Sequence, residues 1–104
     1  MKFTIKGPLK DNIYNLIREI GYHFLNKDEK TGEMSFIRSL SENDYPRFHL
    51  YLVVEGENLI LNLHLDQKKP IYKGAPAHAA EYEGEVVEKE TERIKEILKY
   101  NAKS

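Results

Sequence analysis

Two stretches of strict alternation, at 47–54 and 59–65, constrain the fold of this chain more than any other feature of its sequence. In the first stretch every even position is apolar, and in the second every odd position is leucine: Phe48, Leu50, Leu52 and Val54, with Leu59, Leu61, Leu63 and Leu65. Because successive strand residues point to opposite sides of a sheet, the two rows are expected to share one buried face of a β-hairpin. The intervening side chains then form its other face, called the polar face: Arg47, His49, Tyr51 and Val53, with Ile60, Asn62, His64 and Asp66.

The four residues that join the two stretches, 55–58, predict how the strands pair. A two-residue turn at Gly56-Glu57, with glycine first, suits a type II′ hairpin. Counting back from this turn brings polar side chains together as directly opposed pairs: Tyr51 with Asn62, His49 with His64, and Arg47 with Asp66. Directly opposed Cβ atoms lie about 4.5–5.5 Å apart, so these groups are expected to converge at the end of the hairpin away from the turn.

These paired residues form the candidate ligand-binding site. Titratable and hydrogen-bonding groups at the end of a sheet, beside a long irregular segment, are typical of a site for a metal ion or a small polar ligand. The segment 66–83 leaves the hairpin directly after Asp66 and contains His78. Imidazoles from His49, His64 and His78, or two of them with a carboxylate, would suit a divalent metal such as zinc, with water in the open position. Asp66 is expected to pair with Arg47 or to support the ligands.

Three other interpretations of the polar face stay open. Cross-strand histidines also occur on solvated sheet faces. Val53, Ile60 and Tyr51 would suit an interface with a second copy, which would make the chain a homodimeric interaction module. Lys68, Lys69 and Tyr72 are of the types that bind single-stranded nucleic acid, but 16 basic against 17 acidic side chains argue against that partner. No nucleophile–base pair can be named, so no residue is assigned a catalytic role.

The rest of the pattern predicts one α+β domain over residues 1–104. Strands are expected at 2–6, 22–27 and 34–40, and helices from Pro8 to Gly21 and over 85–100. The order is then β-α-β-β-β-β-α. Each helix has one apolar stripe, so both should pack on one face of a mainly antiparallel sheet, giving a two-layer sandwich. The parity of the strand at 34–40 is open, because either Phe36 and Arg38, or the alternate positions 35, 37 and 39, could face the polar side.

Composition sets the remaining limits. The chain has no cysteine, which excludes disulfides and thiolate metal ligands. The amino-terminal residues lack the apolar run of a signal peptide, and no stretch reaches the roughly 18 apolar residues of a membrane span. We therefore expect a cytoplasmic protein without a membrane association.

The stretches YPRFHLY at 45–51, LHLDQKKP at 63–70 and AHAAEY at 77–82 carry a resemblance to small archaeal and bacterial proteins that have no assigned activity. This resemblance covers the second half of the chain and implies no site residue and no cofactor. The expected order of elements also resembles the fold of the TATA-binding protein, but a shared fold does not imply a shared function.

Overall fold

The structure, a computed structural model, describes residues 1–67, 80, 81 and 84–100. In chain order its elements are β1 (Lys2–Ile5), α1 (Ile13–Glu19), β2 (His23–Lys27), β3 (Met34–Ser39), β4 (Arg47–Glu55), β5 (Asn58–Asp66), β6 (Ala80–Glu81) and α2 (Glu85–Tyr100). The predicted α+β class and the order of its main elements are confirmed. The segment 66–83 was expected to contain no strand, and β6 corrects that expectation.

The strands form one antiparallel sheet in the order β1-β5-β4-β3-β2, with β6 also paired to β5. Glu55 lies opposite Asn58, so Gly56 and Glu57 form the predicted two-residue turn. Gly56 has a φ of 63°, a left-handed conformation that glycine adopts without the steric cost a Cβ imposes. The predicted strand pairing is therefore confirmed along the whole hairpin.

Burial explains why this register is the stable one. The leucines of β5 are between 0 and 6% exposed, and the even apolar positions of β4 from 48 to 52 are equally buried. Each fully buried leucine contributes about 1.5–3 kcal/mol relative to an exposed one. A slip of one residue would turn the whole leucine row to the polar face, so the core fixes which side chains that face receives.

Both helices pack on the same face of the sheet. The apolar residues of α1, its carboxyl-terminal cap and α2 join those of β4 and β5 in one core. Each of them is at 1% exposure or less: Leu16, Ile17 and the cap Ile20 with Val87, Ile94 and Leu98. The expected arrangement of helices on one face is thereby confirmed. Within the described residues, neither helix is long and apolar enough to cross a membrane.

The structure also fixes the parity of β3, which the sequence left open. Phe36 pairs with Leu50, so Phe36 lies on the core side. The side chains of 35, 37 and 39 therefore share the polar face with those of Arg47, His49 and Tyr51, their partners on β4. Arg38 points to the helix side, where it meets α2.

The start of α1 differs from the prediction. The helix begins at Ile13 rather than at Pro8, because Asn12 is a better amino-terminal cap: its Oδ1 accepts a hydrogen bond of 2.9 Å from the backbone N–H of Asn15. Gly21 follows the helix with a φ of 96°, as expected for its carboxyl-terminal end.

A buried ionic cluster fastens α2 to the rest of the fold. Glu90, 5% exposed, accepts hydrogen bonds from Tyr22 Oη at 2.7 Å and from Arg93 Nε and Nη2 at 2.7 and 2.8 Å. Arg38 Nη1 lies 3.3 Å from the same carboxylate. Arg93 Nη2 also donates to the carbonyl oxygen of Ile20 at 2.6 Å, which joins α2 to the end of α1.

Electrostatics keep Glu90 ionised in this cluster. Burial alone would raise the pKa of Glu90, but the hydrogen bonds from Arg93 and Tyr22 outweigh it and hold the pKa below its ordinary value of 4.5. Burial and the neighbouring Glu90 raise the pKa of Tyr22 far above its ordinary value of 10.0, so the phenol stays a donor. Because its members satisfy one another, we assign this cluster to stability rather than to ligand binding.

Candidate metal centre

The site lies on β4 and β5, the two central strands of the sheet, at the end of the hairpin away from the turn. Directly opposed positions bring His49 beside His64 and Arg47 beside Asp66. His64 and Asp66 are two residues apart on β5, so their side chains leave the same face. The parity that buries the leucine row therefore also gathers these charged and titratable groups.

Asp66 is the centre of a group that it forms with His49 and His64. Its Oδ1 lies 3.0 Å from His64 Nε2, and its Oδ2 lies 3.5 Å from His49 Nδ1. One ligand atom from each of the three residues can be chosen so that all lie within 4.8 Å of one another. Two ligands of a tetrahedral zinc ion lie about 3.3 Å apart when each bond is about 2.0–2.1 Å long. The two separations lie on either side of that value, and each involves a different oxygen of Asp66.

Aromatic contacts hold the imidazoles in place. Tyr51 stacks on His49 with ring centroids 4.3 Å apart and planes inclined by 23°. The ring of His64 lies 5.0 Å from that of His49 and 5.7 Å from that of Tyr51. Three rings packed in this way restrict rotation about the Cβ–Cγ bonds, so the nitrogens keep their direction toward Asp66.

Burial separates this group from an ordinary solvated sheet face. The side chains of His49, His64 and Asp66 are 12, 7 and 10% exposed. A solvated polar face, the first alternative to a site, is wrong for these three residues. A carboxylate removed from water needs a cation or several hydrogen bonds. Asp66 therefore requires charged or hydrogen-bonding neighbours.

His49 has the protonation state that metal binding needs. Burial, followed by the charge of the neighbouring His64, lowers the pKa of His49 below its ordinary value of 6.5, although Asp66 acts in the opposite direction. Its imidazole is therefore neutral at pH 7. Its Nε2 is buried and has no hydrogen-bond partner among the residues that the structure describes.

Arg47 borders the group on the Asp66 side. Its Nε lies 3.9 Å from Asp66 Oδ2, an ion pair too long for a hydrogen bond. Its Cζ lies 4.5 Å from the centroid of the Tyr45 ring, a cation–π contact that positions the guanidinium. Within the described ranges, the buried Nε has no hydrogen-bond acceptor.

Among the described residues singled out from the sequence, all but Asn62 meet at this place. Asn62 is exposed, and its Oδ1 lies 3.5 Å from the amino group of Met1, so its amide is turned toward β1. His78 lies outside the described residues. Tyr45 was not singled out from the sequence. It lies in the loop before β4, where no periodic pattern predicts that its ring stacks on the Arg47 guanidinium.

His23 belongs to the same row of the sheet but not to the group. It pairs with Ile37, and Ile37 pairs with His49, so two strand spacings, roughly 9–10 Å, separate the two histidine backbones. His23 is also exposed. It is therefore a matched reference for the histidines of the site.

Comparison with family models, with curated proteins and with solved structures returned no match. The candidate site therefore rests on its own geometry, and the resemblance to small archaeal and bacterial proteins stays an expectation.

Proposed function

We propose that this protein binds a divalent transition-metal ion through His49, His64 and Asp66, with zinc as the reference ion. One observation carries the proposal: the three residues offer ligand atoms within 4.8 Å of one another on a buried part of the sheet. Buried polar groups must pair with one another or with a ligand, and two imidazoles beside one carboxylate suit a shared cation.

The chemistry of the donor set supports a transition metal over magnesium or calcium. Two imidazole nitrogens with one carboxylate suit zinc, iron, nickel or copper, whereas magnesium and calcium prefer oxygen ligands. Three protein ligands also leave at least one coordination position open for water or another molecule, unlike a structural zinc site with four protein ligands. The proposal is for binding; no reaction is assigned to it.

His78 stays a predicted additional ligand. In the sequence it precedes Ala80 by two residues, and Ala80 pairs with Asp66. A cytoplasmic location and a homodimer that uses the polar face likewise stay predictions, as does the expectation that nucleic acid is not a partner.

Metal content and zinc affinity test the proposal. The protein is purified without an affinity tag, analysed for metals, stripped with a chelator and titrated with Zn²⁺ in a calorimeter. We expect one Zn²⁺ per chain. His49→Asn and His64→Asn should each lower the affinity at least about a hundredfold, since even a residue that only supports a metal ligand is worth about 10–100-fold.

His23→Asn is the matched control, because it removes an exposed imidazole from the same row of the sheet and should leave the Zn²⁺ affinity unchanged. Urea unfolding of each variant verifies that it is folded. Absence of a stoichiometric site in the wild type would overturn the proposal. Equal affinities for the wild type and both site variants would overturn it as well.

A further inference from the structure

Among the described residues, the proposed metal site gathers more positive than negative charge once a divalent ion is bound. A divalent ion held by two neutral imidazoles and one carboxylate keeps one net positive charge. Arg47, whose guanidinium lies 3.9 Å from the Asp66 carboxylate, adds a second positive charge at the same place. Uncompensated charge in a half-buried position is costly, so the loaded site should attract an anion.

Arg47 is also placed to hold such an anion. Its side chain is 19% exposed, and the ring of Tyr45 positions the guanidinium. A guanidinium presents its N–H donors as a rigid planar fork that matches the oxygens of carboxylate and phosphate groups.

We infer that the metal-loaded site takes a small oxyanion, a carboxylate or a phosphate, with one oxygen on the metal ion and another accepting from Arg47. This inference rests on the proposed metal site and names the class of ligand that the site takes. It gives Arg47 a binding role beyond that of counter-ion to Asp66.

Cobalt substitution makes the ligand visible. The stripped protein is loaded with Co²⁺, whose visible absorption reports on its coordination, and is titrated in chloride-free buffer with acetate and, separately, with inorganic phosphate. We expect at least one of the two anions to change the spectrum and to saturate. The anion that binds more tightly shows whether the site prefers a carboxylate or a phosphate.

Variants of Arg47 then test the second contact. With every protein saturated in Co²⁺, Arg47→Gln should weaken the anion about 10–100-fold, the loss expected for one charge-assisted hydrogen bond. Arg47→Lys keeps the charge without the planar fork, so its anion affinity should lie between those of the wild type and Arg47→Gln. Arg18→Gln removes an exposed arginine of α1 and should match the wild type.

The outcomes separate the two proposals. If Co²⁺ gives no stoichiometric spectrum in the wild type, the metal site itself fails. If Co²⁺ binds but neither anion changes its spectrum, the metal site stands and the oxyanion inference is overturned. An anion that binds equally well to wild type, Arg47→Gln and Arg47→Lys would also overturn it.

Discussion

Asp66 is the residue on which the charged groups of the polar face converge. Its carboxylate lies 3.9 Å or less from a nitrogen of each of its three neighbours, Arg47, His49 and His64. Without a metal, Arg47 supplies the positive charge that a buried carboxylate needs. A divalent ion between Asp66 and the two imidazoles would supply that positive charge at shorter range. Asp66 would then pair with Arg47 in the metal-free protein and with the ion in the metal-bound protein.

His49 should make the stability of the metal-free protein depend on pH. Its pKa is lower in the folded state than the ordinary 6.5, so the unfolded chain binds more protons as pH falls below about 6.5. The stability that this imidazole contributes is therefore complete above pH 6.5 and is lost as pH falls through the folded-state pKa. His49→Gln removes this pH-dependent contribution to stability.

Urea unfolding in the presence of a chelator, at pH 7.5 and at pH 5.5, measures this effect. We expect the wild type to lose more free energy of unfolding than His49→Gln between the two pH values. His23→Gln, which removes an exposed imidazole, should follow the wild type. An identical loss in the wild type and in His49→Gln would show that His49 is not held neutral by its surroundings.

The hairpin was predictable because its two strands constrain each other. Parity of the apolar rows determines the shared face, and glycine at position 56 selects the turn, so the pairing of His49 with His64 follows from the sequence. β3 lacks such a constraint. Phe36 and Ile37 are adjacent and both apolar, so either parity buries a large side chain, and only pairing with β4 decides between them.

The burial of the site was not predictable from the same pattern. Alternation says which face a side chain occupies, but not how much of that face neighbouring groups cover. Here the ring of Tyr51 lies against both imidazoles and that of Tyr45 against Arg47. These contacts depend on side-chain rotamers and on a loop, neither of which has a periodic signature.

The Glu90 cluster was missed for a related reason. α2 is rich in glutamate, and a glutamate on a helix is usually solvated. A signal was nevertheless present: Glu90 lies three residues after Val87 and four before Ile94, which puts it on the edge of the buried stripe. Two of the partners that make its burial tolerable, Tyr22 and Arg38, come from distant parts of the chain, and the third, Arg93, lies three residues further along α2.

Glu90→Gln should destabilise the fold by about 2–3 kcal/mol at pH 7, because it removes the charge that two arginines and Tyr22 satisfy. The folded-state pKa of Glu90 lies below 4.5, so its contribution is complete above pH 4.5 and is lost as pH falls through that pKa. The difference between wild type and variant should therefore narrow at acidic pH.

Urea unfolding at pH 7 and at pH values below 4.5 tests this. Glu92→Gln, which changes an exposed glutamate of the same helix, is the control and should stay within about 0.5 kcal/mol of the wild type. A cost for Glu90→Gln as small as that of the control, or one that does not change with pH, would contradict the role assigned to the cluster.

At the scale of the whole molecule, the topology places the apolar core and the candidate site on opposite faces of one sheet. Both helices and the apolar rows fill one side of the sheet, and the opposite side carries the candidate site on β4 and β5, its longest strands. Pairing on both edges holds these central strands, which gives the ligand atoms a rigid base.

Zinc should stabilise the whole fold through this site. A ligand that binds only the folded state adds about 2.7 kcal/mol at a concentration 100 times its Kd. For a domain of this size, that corresponds to a rise in Tm on the order of 10–20 °C. Thermal unfolding with Zn²⁺ and with a chelator measures the shift. Asp66→Asn should abolish most of it; an equal shift in Asp66→Asn would place the zinc elsewhere.

The most direct test of the central claim is nuclear magnetic resonance of the four histidine side chains during a Zn²⁺ titration. Long-range ¹H–¹⁵N correlation spectra report separately on each ring nitrogen. We predict that one nitrogen of His49 and one of His64 change sharply and saturate at one equivalent of Zn²⁺, while His23 does not change. A matching change at His78 would make it the third imidazole ligand. Saturation with no change at His49 or His64 would contradict the proposed metal site.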